Sequence, residues 1–484
     1  MAKFNSPVST KTVNKEGHVA YKMTDKSKLV TQVLTSFLNE KKFYGDNTAD
    51  MQETIKRVIK QDPQFVSNLA VFARREFNMR SVSHILTAYL AHEPEGKPFV
   101  RSTVRGVTVR GDDLTEIMAC YLSIFGKPIP NALKKGTNDA ITKFDEYTLA
   151  KYKGEGNAVK MRDLICLCRP KPTGKAQEEL FKRCLEGNLA IPETWETQLS
   201  AHGNNAETWE KLIDSGKVGY MALLRNLRNI MQAQPRNIDK VLKKLADPDA
   251  VRKSRQLPFR FLSAYKSVHW SASSKVFDAL EDAVDASVEN LPKIPGKTVI
   301  AIDVSGSMSS TVSSKSDVCC SEIAILLGLI ANRICEDAIV YTFDDRLVKM
   351  DASHRDGILH TAVHSRARGG GTNMGLPFEA MIREKIQSDR LIILSDNMCN
   401  RGVSYWNNKT VQALADEYRR KTGNNIWVHA VDLMGYGTQQ FAGPKTNIIA
   451  GWSEKIFDFI LLAEQGEGTL EKTIENYTWD AYAA

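Results

Sequence analysis

Thr298-Val-Ile-Ala-Ile-Asp303-Val-Ser305-Gly-Ser307 decides how the C-terminal part of this chain folds. A continuous apolar, largely β-branched run reads as a strand buried on both faces. It ends in Asp-x-Ser-x-Ser. Oxygens at i, i+2 and i+4 can turn to one side of a tight loop, and Gly306 permits the bend.

Working outward, the same texture recurs. Ala338-Ile-Val-Tyr-Thr-Phe343, Leu391-Ile-Ile-Leu394 and Ile426-Trp-Val-His-Ala-Val431 are further apolar runs, with Thr446-Asn-Ile-Ile-Ala450 a weaker one. Helical patterns over 321–334 and 410–421 separate them. Buried strands alternating with helices predict a doubly wound α/β domain with a parallel sheet. Ligands of such sheets sit at the carboxyl ends of the strands.

Two more loops fall at those ends. Gly369-Gly-Gly-Thr372-Asn offers a hydroxyl on a flexible backbone, and Ser395-Asp396-Asn397 offers a second carboxylate. Asp303, Ser305, Ser307, Thr372 and Asp396 are all hard oxygen donors. That set points to Mg²⁺ first, with Mn²⁺ or Ca²⁺ as alternatives, and away from Zn²⁺. Mg²⁺ prefers about six oxygens and usually keeps waters, which leaves an exchangeable position for a partner's carboxylate. The chain has no GxxxxGK[ST], no H-E-x-x-H and no Ser-His-Asp order, so nucleotide-binding and hydrolytic sites have no support. Asp344 and Asp345 are read as a solvated loop. This constellation, over roughly 297–484, resembles the metal-ion-dependent adhesion site of von Willebrand factor A domains.

Before residue 290 the texture is helical. Leu29, Val30, Val33, Leu34, Phe37 and Leu38 form one stripe; Phe65, Val66, Leu69, Ala70 and Ala73 form another. Met221, Leu224, Leu227 and Ile230 form a third, and Val276, Ala279, Leu280 and Ala283 a fourth. Fourteen of the sixteen prolines precede residue 296, many between these stripes, where they start or break helices. No strict period emerges, so an irregular array of helical hairpins is expected over 1–290. Residues 291–297, with two prolines and a glycine, read as a linker before an α/β domain over 298–484.

Charge divides along the same line. The formal net charge is +8, yet residues 297–484 carry 19 Lys and Arg against 23 Asp and Glu. Residues 1–296 carry 46 against 34, an excess of +12 that suits a polyanion partner. Arg101, Arg105 and Arg110 recur in one stretch. Lys134, Lys135, Lys143, Lys151, Lys153, Lys160 and Arg162 follow, then Arg169, Lys171 and Lys175, with Tyr147 and Tyr152 interleaved. Cationic side chains pair with phosphates, and aromatic faces stack on unpaired bases.

Asn131-Ala-Leu-Lys-Lys135, Leu149-Ala-Lys-Tyr-Lys153, the stretch Arg162 to Pro172, Tyr220-Met-Ala-Leu-Leu-Arg-Asn-Leu227 and Leu257-Pro-Phe-Arg-Phe261 together resemble the TROVE domain. Joined to a von Willebrand A domain, that module resembles the Ro autoantigen family over about 15–484. The resemblance implies a multidomain protein, in which a ring of irregular HEAT-like helical repeats is closed by the α/β domain. It implies binding of single-stranded 3′ ends of misfolded noncoding RNAs in the ring, of small structured Y-like RNAs outside it, and work alongside an exoribonuclease. Lys151 and Lys153 match the basic KYK string of the Y RNA surface. Two positions depart from the family's pattern: Gly154-Glu155-Gly156 stands where an arginine is common, and Arg169 where histidine is. Glu155 would repel a phosphate; Arg169 still suits one.

The expected protein is a monomeric, non-enzymatic RNA binder. A metal-dependent scaffold that captures an acidic protein ligand through the A domain is the alternative. With no h-region at the N-terminus, no apolar run near the roughly 20 residues of a membrane span, and no Cys-x-x-Cys pair among eight cysteines, a cytoplasmic protein with reduced thiols is expected.

Overall fold

The computed structural model describes residues 11–14, 17–35, 49–154, 156–256, 258–268, 273–289, 291–313, 316–352, 356–365, 367–400, 410–435, 438–443, 445–451, 455–466 and 470–479. Phe37, Leu38, Glu155 and Leu257 therefore lie outside the described residues. The strands, in chain order, are β1 (Lys11–Val13), β2 (Val19–Lys22), β3 (Ile294–Asp303), β4 (Thr311–Ser313), β5 (Ser316–Cys319) and β6 (Cys335–Phe343). There follow β7 (Leu347–Lys349), β8 (Arg390–Ser395), β9 (Trp427–Asp432), β10 (Thr438–Gln439) and β11 (Thr446–Ala450).

A six-stranded sheet runs in the order β11-β9-β8-β3-β6-β7. The five apolar runs of the sequence are its five parallel strands. The expectation of a parallel sheet needs one correction, because β7 closes the edge antiparallel to β6. Leu347-Val-Lys349 is too short to signal a strand by itself, and the tight connection from Phe343 dictates the antiparallel return. Val299 and Ala301 of β3 face a core with Phe378, Met381, Leu414 and Tyr418, from helices Leu376–Arg383 and Val411–Thr422. Helix Cys320–Ile334 covers the opposite face, so the sheet is doubly wound. The chain leaves β3 toward β6, then crosses back to place β8 on the other side of β3. That reversal is a topological switch point, where this architecture opens a crevice at the strand ends.

The expected linker at 291–297 is corrected too. Ile294 already pairs with Cys335, and the register shifts before Lys297 pairs with Asp337. Pro295 cannot donate to a ladder, and a bulge absorbs it together with Gly296 at φ 76°. The chain condenses into two compact units, one of residues 1–24 with 194–470, the other of 25–193 with 471–484. In the first, helices Pro258–Ser267 and Ser274–Val288 pack on helix Ile358–His364, and β1 and β2 form a small antiparallel sheet with β10. The Met221 stripe is two helices, Tyr220–Arg225 and Leu227–Ala233, broken at the buried Asn226, and Met221 itself is exposed.

In the second unit the stripes at 29–34 and 65–73 lie buried on helices Asp25–Thr35 and Pro63–Arg75, the latter starting on Pro63 with Asp62 as its cap. Asp113, fully buried, accepts from Arg74 at 2.9 Å and Arg80 at 3.2 Å and lies 3.1 Å from His84 Nε2. Burial alone would raise its pKa, but these partners hold the carboxyl far below the usual range. The eight cysteines are unbridged, five of them buried. No helix among the described residues is long and apolar enough to cross a membrane.

Candidate metal centre and nucleic-acid interface

In the first unit the three oxygen-bearing loops meet. β3 and β8 are neighbours, so Asp303 and Ser395 come off adjacent strand ends, where Ser395 Oγ donates to Asp303 Oδ2 at 2.5 Å. The Ser305 N–H donates to Asp303 Oδ1 at 2.9 Å, which closes the tight loop read from the sequence. Ser305 and Ser307 hydroxyls stand 3.3 Å apart. The Gly306 N–H donates to the Gly370 carbonyl at 3.2 Å and so joins the first loop to the second. Gly370 has φ 94°, a conformation side chains resist. Thr372 is clamped from the third loop: its N–H donates to Asn400 Oδ1 at 2.8 Å, and the Asn400 N–H returns to its carbonyl at 3.2 Å. Asp303, Ser305, Thr372 and Asp396 are buried, and Ser307 is exposed.

Two buried carboxylates, Asp303 and Asp396, thus lie close enough to interact. Burial, then the charge of Asp396, pushes Asp303 up to about 7. A divalent cation between them relieves both costs, and the all-oxygen donor set fits one. A softer group does lie nearby: Cys320 Sγ is 3.2 Å from Met434 Sδ. Burial and Asp396 push that thiol up to about 12, so it is protonated at neutral pH and is no thiolate ligand. Among the described residues no three His, Cys, Asp or Glu side chains gather as a metal site, so any ion here depends on the hydroxyls.

Sequence reasoning missed Asp432. It pairs with Ser395 across β8 and β9, is fully buried, and accepts from the Met434 and Gly435 N–H groups at 2.9 and 2.8 Å. Burial raises its pKa to about 6, with Asp396 contributing. The available signal was its place directly after an apolar run, as with Asp303 and Asp396. Asp344 also corrects the reading of a solvated loop. It is 3% exposed and accepts from Arg368 Nε at 3.1 Å and the Arg346 N–H at 2.7 Å, which withdraws it from solvent.

The basic residues lie in the second unit and fall into groups. Asp113 Oδ2 accepts from the backbone N–H of Arg110 at 2.8 Å and of Val109 at 3.0 Å, so the buried charge network fixes the turn carrying Arg110. The Arg110 guanidinium lies 5.1 Å from the Tyr152 ring centre. Lys151 Nζ lies 5.7 Å from that ring and 5.4 Å from the Tyr147 ring. Tyr147 is 50% exposed. Helix Glu146–Lys151, capped by Asp145, presents this group. The Met161 N–H donates to the Lys153 carbonyl at 3.1 Å, which brings Lys160 and Arg162 to the end of the KYK string.

Lys134 and Lys135 sit on helix Asn131–Ile141, where Asn138 Nδ2 donates to the Cys168 carbonyl at 2.8 Å. That bond sets helix Met161–Cys168, and the exposed Arg169 and Lys171 that leave it, against the lysine helix. Arg101 is ion-paired to Asp139, and Arg105 is half-buried.

Comparison with known proteins follows the same division. The TROVE domain family model matches residues 9–188 and 182–272, and the Ro60 vWA domain model matches 297–439. Telomerase protein component 1 of Rattus norvegicus is 26% identical over 325 residues, covering 50% of this chain and 12% of that protein. RNA-binding protein RO60 of Caenorhabditis elegans is 29% identical over 209 residues, covering 40% and 32%. RNA-binding protein RO60 of Deinococcus radiodurans is 25% identical over 242 residues, covering 46% and 44%. The matches thus span less than half the length of these relatives. The crystal structure of the Deinococcus radiodurans RO (RSR) protein shares the fold, with a TM-score of 0.63 at 17% identity, over 90% of this chain and 99% of that one. With one family model covering most of residues 9–272 and a second covering 297–439, this chain belongs to the Ro family of TROVE-domain proteins with a von Willebrand A domain.

Proposed function

We propose that this protein is a non-enzymatic RNA-binding protein of noncoding RNA quality control. The observation that carries the reading is the group of Arg110, Tyr147, Lys151 and Tyr152, which sets cations and aromatic faces side by side. Cations neutralise phosphates while the rings stack unpaired bases, a combination suited to single strands with weak sequence preference. Residues 97–175 hold 15 Lys and Arg against 8 Asp and Glu, enough to attract a polyanion from a distance. Family membership supports the finer assignment: single-stranded 3′ ends in a helical ring, Y-like RNA outside it, an exoribonuclease partner, a cytoplasmic setting and a monomer. The KYK surface, with Lys153, Lys160, Arg162, Arg169 and Lys171, is the candidate Y-like RNA contact. Arg101 and Arg105 are weaker candidates for the single strand.

Asp303, Ser305, Ser307, Thr372 and Asp396 would hold Mg²⁺, which supplies an open coordination position for an acidic protein ligand. The mutual repulsion of Asp303 and Asp396 favours a cation at this place, on which the scaffolding role depends. It is compatible with RNA binding. The test is anisotropy of a 3′-tailed RNA hairpin over a salt series. Affinity should fall as salt rises, by about 0.7 log unit per log unit of salt for each phosphate neutralised on a single strand. A flat response would sink the phosphate-contact reading.

A further inference from the structure

Asn14 stands 385 residues before Cys399, yet its Nδ2 donates to the Cys399 carbonyl at 2.6 Å, and both residues are buried. Asn14 also organises the turn between β1 and β2. Its Oδ1 accepts from the His18 N–H at 3.0 Å. Its own N–H donates to the His18 carbonyl at 2.8 Å, and its carbonyl accepts from the Gly17 N–H at 3.0 Å. The turn fixes the side chain, and the side chain reaches the third loop of the metal centre.

Which peptide receives this bond matters. The Cys399 carbonyl and the Asn400 N–H belong to one planar unit, so orienting one orients the other. That N–H donates to the Thr372 carbonyl at 3.2 Å, and Asn400 Oδ1 accepts from the Thr372 N–H at 2.8 Å. A relay thus runs from Asn14 through the 399–400 peptide to Thr372, whose hydroxyl is one of the five candidate oxygen donors. Hydrogen bonds in such a chain polarise and strengthen one another. A second tie acts on the same loop. β2 pairs with β10, and Gln440, directly after β10, donates through Nε2 to the Asn397 carbonyl at 3.2 Å. The small sheet of β1, β2 and β10 therefore holds the loop at Asn397 and at Cys399, just past Asp396.

We propose that Asn14 is a positioning residue of the metal centre, which holds Thr372 in place through the 399–400 peptide. The inference rests on the reading of Asp303, Ser305, Ser307, Thr372 and Asp396 as an Mg²⁺ site. Asn14 acts through the loop and not as a ligand. Partners outside the ligand set orient the ligands, and their loss weakens metal binding about 10–100-fold. Mg²⁺ demands near-octahedral geometry, whereas Ca²⁺ accepts a looser arrangement. A loop released by Asn14 therefore penalises Mg²⁺ more than Ca²⁺, so Asn14 sets selectivity as well as affinity.

The test is calorimetric titration of Mg²⁺, and separately of Ca²⁺, into the full chain, with melting temperatures taken in EDTA. Asn14→Ala should weaken Mg²⁺ binding about tenfold or more and Ca²⁺ binding less, so the Mg²⁺-to-Ca²⁺ affinity ratio falls. Val13→Ala, at an exposed position on the same hairpin, should leave both affinities unchanged. Melting in EDTA reads the stability lost with the bond itself, apart from any ion. Unaltered Mg²⁺ affinity in Asn14→Ala, beside a wild type that binds, makes the bond purely structural and overturns the proposal. Equal weakening of Mg²⁺ and Ca²⁺ reports lost fold and overturns it too. A wild type that binds no Mg²⁺ removes the metal reading itself, and the inference with it.

Discussion

The Arg110 guanidinium rests 5.1 Å from the centre of the Tyr152 ring, on a turn whose N–H groups are held by the buried Asp113. A surface cation is thus positioned by an interior charge network. A guanidinium already ordered loses less freedom when it meets a phosphate, although one edge N–H of Arg110, at Nη2, already donates to Asp112 Oδ2 at 3.0 Å and must be shared or exchanged. Arg110→Gln combined with Lys151→Gln should weaken single-stranded RNA binding and shrink its salt slope by about 0.7 for each phosphate no longer neutralised. Tyr147→Ala should cost about 1–3 kcal/mol of affinity with the slope unchanged, since stacking releases no counterions. Anisotropy titrations at several salt concentrations read both.

The oxygen centre predicts a metal-dependent stability. Mg²⁺ at 100 times its dissociation constant should stabilise the folded chain by about 2.7 kcal/mol, seen as a raised melting temperature that EDTA reverses. Asp303→Ala should abolish that response, and Ser395→Ala, which removes the 2.5 Å bond orienting Asp303, should reduce it. An equal Mg²⁺ response in Asp303→Ala would place the ion elsewhere.

A buried network elsewhere in the same unit predicts acid sensitivity. Arg390 Nε and Nη2 donate to the two oxygens of Glu464 at 2.7 and 2.8 Å, and His429 Nε2 lies 3.0 Å from Glu464. Burial works to raise Glu464, but His429 and Arg390 hold it down at about 2. Burial lowers His429 below its ordinary value. Both folded pKa values lie below the unfolded ones, so the unfolded state binds more protons as pH falls. The stabilisation is full above about pH 6.5, first erodes as unfolded histidine protonates, and is lost toward pH 2. Glu464→Gln should cost about 3–5 kcal/mol at pH 7, because Arg390 would remain buried without its counter-charge. Urea unfolding from pH 4 to 8 measures both effects, and a flat profile in the wild type would contradict them.

Labelled RNA incubated with the protein and Mg²⁺ should remain intact. Among the described residues of the centre, Asp303, raised to about 7, is the group that could act as a base, so this test bears on it directly. Cleavage that disappears in Asp303→Ala would make the centre catalytic.

Much of the α/β domain was legible because its strands are buried on both faces and therefore read as unbroken apolar runs. Metal-loop order followed from strand order. Asp432 escaped notice because its neighbours in space, Ser395 at the end of β8 and Asp396 just after it, are remote in sequence, and only the pairing of β8 with β9 joins them. Asp344 looked like loop because its partner Arg368 stands 24 residues away. In the helical part, periodicity located helices but not which lysines meet. The Arg110–Tyr152 approach depends on tertiary packing, and so does the capture of Arg101 by Asp139. Length and punctuation suggested a linker at 291–297, yet a bulge lets Pro295 and Gly296 stay within β3.

The most direct measurement is the RNA that accompanies the protein through purification at moderate salt. Sequencing should return discrete small noncoding RNAs or fragments with exposed 3′ ends, and the absorbance ratio should collapse after RNase. Protein that purifies free of RNA, and that also fails to shift a 3′-tailed hairpin at low salt, would contradict the RNA-binding account and leave the metal-dependent scaffold in its place.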